Sequence, residues 1–217
     1  MWRFPLKGTA EHVSHSTDFE FKTKTREAFK DTVKVQLPGL LELRPNDTFS
    51  HELVPLNPNL AGLLDRSVVI EEINTKLLNV EDELEFFLIF EPWRPFKAST
   101  ELLISKSSGG RWKFNVTFEA SEPEIDDVIS ITSPLNKTSS VSFKLTNHRG
   151  AYADFNAFFT HDSATEFTVF PKTGTLEPYG KEGTNFIVSF TPTEYGKPKI
   201  GKLVIQTEEV QWLFLQI

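Results

Sequence analysis

Cysteine is absent from all 217 residues, which excludes disulfide scaffolds, thiol nucleophiles and thiolate metal sites. Its absence also favours a reducing compartment, because extracellular β-sandwich domains are commonly cross-linked. No run approaches the roughly 18 consecutive apolar residues of a membrane-spanning helix. Nor does a charged start lead into an apolar signal core, so no membrane association is expected. Positive charge is scarce too. With 23 Lys and Arg against 30 Asp and Glu the net charge is −7. Both halves of the chain share it, and no nucleic-acid partner is expected.

What is abundant points to strands. The chain has 20 Phe and 4 Trp beside 13 Pro and 11 Gly; aromatics suit a pleated, half-buried surface, and Pro and Gly supply turns. The composition also repeats. Phe87-Leu-Ile-Phe90-Glu-Pro92, Leu102-Leu-Ile104 and Trp112-Lys-Phe114 recur as Phe186-Ile-Val-Ser-Phe190-Thr-Pro192, Leu203-Val-Ile205 and Trp212-Leu-Phe214. Pro92 and Pro192 lie 100 residues apart, as do Trp112 and Trp212. A fixed period signals an array of like units, and a unit of about 100 residues is one β-sandwich. The chain therefore reads as all-β, in tandem immunoglobulin-like β-sandwiches: residues 11–120, with an insertion from Pro38 to Glu83, and residues 121–217. Residues 1–10, with Trp2-Arg-Phe4, are either the last strand of a preceding domain or the first strand of domain one, in a segment cut from a longer array.

Period-two alternation predicts strands at Phe19–Phe21, Phe29–Leu37, Arg44–Val54, Ser67–Ile73, Leu84–Glu91, Glu101–Ser105 and Trp112–Phe118, with one helical turn at Leu60–Leu64. Gly109-Gly110 predicts a hairpin between the last two strands. In the second domain strands are expected at Val128–Thr132, Ser140–Asn147, Phe155–Phe159, Phe167–Phe170, Thr184–Thr191, Gly201–Thr207 and Gln211–Ile217, the number that an immunoglobulin-like sandwich needs.

Between Phe167 and Ile205 the pattern becomes specific: Phe170-Pro171-x-x-Gly174-x-Leu176-x-Pro178, then Phe186-x-Val188-x-Phe190-x-Pro192, Gly196 and Leu203-x-Ile205. This resembles the ASH domain, named for ASPM, SPD-2 and Hydin and related to the major sperm protein fold. Physically, Pro171 and Gly174 suit a turn, Leu176 re-enters the core and Pro178 limits the next edge. The stretch from Trp93 to Trp112 is similar to the C-terminal part of a large ciliary protein that strings together many such domains. The resemblance implies a non-enzymatic structural role in the axoneme of motile cilia and sperm flagella, needed for their assembly and motility. The partners it implies are axonemal, central-apparatus and microtubule-associated proteins.

Little in the sequence suggests chemistry. His12-x-x-His15 offers two metal ligands without a third at familiar spacing. His161-Asp162-Ser163 holds nucleophile, base and acid in name, with no nucleophile elbow. No catalytic, metal or cofactor set emerges, and no small-molecule substrate is expected. Glu122, Glu124, Asp126 and Asp127 read either as a self-repelling solvated linker or as a calcium site. Lys22, Lys24, Arg26 and Lys30 read as a soluble edge or as a contact for an acidic surface such as tubulin. Trp93, Arg94 and Phe96, in a proline-bracketed turn, are the candidate binding residues, the alternative being that they cap their own core. Asn46, Asn115 and Asn136 begin glycosylation sequons. Such sequons arise by chance in Thr-rich sequence and carry little weight without a signal peptide; glycan on Asn115 or Asn136 would favour a competing function, an extracellular adhesion or receptor fragment, and an enzyme-accessory domain is a third.

Overall fold

In the computed structural model, which describes residues 18–148, 150–196 and 198–217, most of the alternating stretches become strands, whereas residues 44–48 and 130–132 of the expected strands do not. Leu84, Phe86, Leu88 and Phe90 are buried, while the residues between them are only half-buried. One strand face therefore meets a core. The segment Trp2-Arg-Phe4 and the pair His12 and His15 lie outside the described residues.

The chain forms two units. The first takes Phe29–Phe90 and Lys97–Glu119 with the chain up to Phe21. Its elements are β1 (Phe19–Lys24), β2 (Phe29–Val35), β3 (Phe49–Pro55), α1 (Ala61–Ser67), β4 (Val68–Glu72), β5 (Leu84–Phe90), β6 (Phe96–Lys106) and β7 (Arg111–Ser121). A turn of 3-10 helix at Pro58–Leu60 leads into α1, with the Asn57 side chain accepting from the Asn59 N–H. The strands make a four-stranded sheet, β1-β7-β6-β3, and a three-stranded sheet, β2-β5-β4. Rings from the two sheets meet between them: Phe90 lies edge-on to Phe118 at 5.2 Å, and Phe21 meets Phe29 at 5.7 Å.

The second unit takes Ala120–Ile217 together with Lys22–Ala28 and Glu91–Phe96. Its strands are β8 (Asp127–Ile129), β9 (Ser139–Asn147), β10 (Ala153–Phe159), β11 (Phe167–Phe170), β12 (Thr173–Pro178), β13 (Thr184–Phe190), β14 (Gly201–Gln206) and β15 (Gln211–Gln216). They are hydrogen-bonded in the order β11-β13-β9-β12-β10-β14-β15-β8. β12 joins the two halves of that order. Its Thr173–Leu176 pairs antiparallel with β10, and Glu177 and Pro178 then run parallel to Thr146 and Asn147 of β9. Phe155, Leu176, Phe186, Leu203, Ile205 and Trp212 fill the core.

Strand β12 was not expected, and its glycine does a different job from the one its motif suggests. Gly174 lies within the strand, opposite Phe155, rather than in the turn. A Cβ there would stand 3.0 Å from Phe155 Cε1, so glycine makes room for a buried ring. Two of the sequon asparagines also have backbone reasons. Asn46 and Asn136 adopt φ of 79° and 55° in turns closed by Asp47 N–H to Arg44 O and by Lys137 N–H to Pro134 O. Asn tolerates that left-handed region better than most side chains do.

Candidate interaction site

The site is best built outward from β15. β14 occupies one edge of this strand through all six of its residues. The other edge is covered piece by piece. Gln211 N–H donates to the Trp93 carbonyl at 2.9 Å, Leu213 N–H donates to Asp126 Oδ2 at 2.8 Å, and the Leu213 carbonyl accepts from Asp126 N–H at 2.7 Å. From Phe214 onward β8 runs parallel to it, pairing Leu215 with Val128. The backbone groups of this edge are thereby satisfied without an outside strand.

Trp93 and Arg94 are drawn into this arrangement. The Trp93 ring is half-buried against the core of the second unit, 5.9 Å from the His148 ring. His148 lies nearly parallel to Trp212 at 5.5 Å, and Trp212 Nε1–H donates to His148 Nε2 at 3.2 Å. Arg94 Nη1 donates to the Glu208 carbonyl at 3.1 Å, while its Nε is buried without a hydrogen-bond partner. Phe96 is half-buried where β6 begins. The structure thus brings Trp93 and Arg94 against the turn before β15, where both already have intramolecular work.

The two charge runs, taken separately, look like solvated surface; folded, two residues of each become partners. Arg26 Nη1 and Nη2 grip the two oxygens of Asp126 at 2.5 and 3.1 Å, and Nη2 also donates to the Glu124 carbonyl. Lys24 Nζ meets Glu124 Oε1 at 3.1 Å, and that hydrogen bond raises the ammonium above its ordinary value. Arg26 sits at φ 71° and passes its own N–H to the Pro92 carbonyl at 2.7 Å. It therefore ties the Glu91–Phe96 turn and the acidic segment together. Within these runs Lys24 and Arg26 offset the charge of Glu124 and Asp126, so that part of the acidic segment is held against the basic one rather than left to repel itself. The matched spacing, Lys24-x-Arg26 against Glu124-x-Asp126, was the available signal.

Among the described residues no group of three or more His, Asp or Glu side chains gathers as a metal site would. In His161-Asp162-Ser163 the serine hydroxyl accepts from Lys202 N–H at 2.9 Å and shares a hydrogen bond with Thr160. A hydrogen bond from Thr160 holds the Asp162 carboxyl below its ordinary value. These groups close a turn. His51, in the first unit, pairs with Glu72 at 2.6 Å and lies edge-on to Phe86.

This architecture defines an immunoglobulin-like β-sandwich protein. The family model described as CFAP47-like, immunoglobulin-like domain matches residues 9–121, and the chain belongs to that family. Over 170 residues it is 38% identical to cilia and flagella-associated protein 47 of Mus musculus, covering 76% of this chain and 5% of that protein. Over 130 residues it is 36% identical to the Homo sapiens cilia- and flagella-associated protein 47, covering 59% and 4%. The chain thus spans about a twentieth of these relatives' length. Among solved structures, a Caenorhabditis elegans MSP family member matches at 17% identity and TM-score 0.32, covering 42% of this chain and 90% of its own. The human CEP192 ASH/PapD-like domain matches at 17% and 0.31, covering 41% and 78%.

Proposed function

We propose that this chain is a cilium- or flagellum-associated interaction module, one segment of a multidomain axonemal scaffold that binds other proteins and performs no chemistry of its own. The observation that carries this is the 38% identity, over 170 residues, to a mouse protein named for cilia and flagella. The partners are axonemal, central-apparatus and microtubule-associated proteins, and the parent array contributes to assembly and motility of the cilium or sperm flagellum. The fold supplies a means. Outer strands accept added strands, and loops at sandwich ends present side chains. In the first unit the outer strands of the two sheets are β1 and β3, and β2 and β4; in the second the order ends at β11 and β8. Proximity labelling from the endogenous protein in ciliated cells tests the proposal. Axonemal proteins should dominate the labelled set, whereas a set drawn from the secretory pathway would replace this function with an extracellular one.

A further inference from the structure

We infer that the loops Pro38–Thr48 and Ile73–Glu83 of the first unit form a docking groove for a cationic amphipathic segment of a partner protein, an inference that rests on the chain being an interaction module. Leu41 and Leu78 are each 90% exposed, and with Val80 they line one shallow groove of about 640 Å³. A single exposed leucine is ordinary. Two from loops far apart in sequence, facing the same groove, mark a contact surface.

The leucines are presented from fixed turns. Asp82 Oδ2 accepts from the Leu78 and Asn79 N–H groups at 3.0 and 2.8 Å, and Asp82 N–H returns a bond to the Asn79 carbonyl at 3.2 Å. Across the groove, Asp47 Oδ2 accepts from Arg44 N–H at 2.8 Å, and Lys106 Nζ donates to the Glu42 carbonyl at 3.0 Å. Turns closed in this way reduce the ordering that binding would otherwise require.

Charge selects the occupant. Glu42, Glu81 and Asp82 line the groove, and no Lys or Arg does. Asp82 is committed to its turn; Glu81 has no ion-pair partner among the described residues, and Glu42 has only an exposed contact with Arg44 at 3.8 Å. An apolar strip edged by three carboxylates, of which, among the described residues, only Glu42 has a cationic neighbour in Arg44, fits Leu, Ile or Val interleaved with Lys or Arg. The same carboxylates repel nucleic acid, anionic lipid and acidic tails.

The test is selection of a random-peptide display library on the whole chain, with Kd then measured by fluorescence anisotropy. Enriched peptides should be cationic and amphipathic. They should bind L41S/L78S at least about tenfold more weakly and lose most of their salt dependence on E42Q/E81Q. Because the four positions are exposed, both variants should melt like the parent; should one not, the other carries the test. No enrichment, an acidic or uncharged set, or binding indifferent to both pairs of substitutions overturns the inference. Proximity labelling is independent of this selection: a groove that selects its peptides in a protein absent from cilia would refute the ciliary function alone, and the reverse pairing would refute the groove alone.

Discussion

Arg26 and Asp126, separated by 100 residues, meet as a fork, with Nη1–Oδ1 at 2.5 Å and Nη2–Oδ2 at 3.1 Å. Their side chains are 20% and 22% exposed, so water screens the pair only in part. Asp126 also receives the Leu213 N–H, which makes it the more consequential half. Asp126→Ala should cost about 1–3 kcal/mol in denaturant melts, because it leaves an amide and a guanidinium short of partners. Arg26 carries a second signature in its φ of 71°. Glycine relieves about 1 kcal/mol there, so Arg26→Gly should destabilise less than Arg26→Ala. Equal losses would mean that the backbone conformation is not left-handed.

Gly174→Ala should destabilise by about 1–3 kcal/mol through overpacking, because the added methyl meets the buried Phe155 ring at 3.0 Å. Shrinking the ring in Phe155→Leu should recover part of that loss. A double-mutant cycle would show coupling above about 0.5 kcal/mol; additivity would place the glycine elsewhere.

For Trp93 the two roles separate cleanly. A ring packed against the core of the second unit predicts that Trp93→Ala lowers stability by about 2 kcal/mol and removes a partly shielded fluorophore. A side chain reserved for a partner would leave the melting curve unchanged.

The Glu166 carboxyl is held below its ordinary 4.5, chiefly by the Lys199 hydrogen bond, and Lys199 is correspondingly raised. With a depressed folded-state pKa, the native form binds fewer protons than the unfolded one as pH falls. The contribution is complete above pH 4.5 and disappears as pH drops through the folded value. Melting curves of Glu166→Gln and of the parent should therefore differ near neutrality and converge in acid. A gap that persists in acid would assign the effect to shape rather than charge.

Much of this fold was legible because large side chains alternate. Phe114, Val116 and Phe118 fall on one buried face of β7, as their spacing required. β6 begins earlier than expected since its buried positions there are Ala98 and Thr100, too small or too polar to announce a core. β12 has Leu176 as its one large apolar residue, follows Pro171 closely and ends on Pro178, a composition that reads as a turn. The clasp around β15 was harder still. Arg26, Trp93 and Asp126 come from three separate segments, and local periodicity carries no information about such meetings.

The membership of a ciliary scaffold is tested most directly by tagging the endogenous protein and imaging motile cilia before and after detergent extraction. The tag should run along the cilium and stay on the extracted axoneme. A tag absent from the cilium, or a protein carrying glycan on Asn115 at the cell surface, would contradict the proposed function.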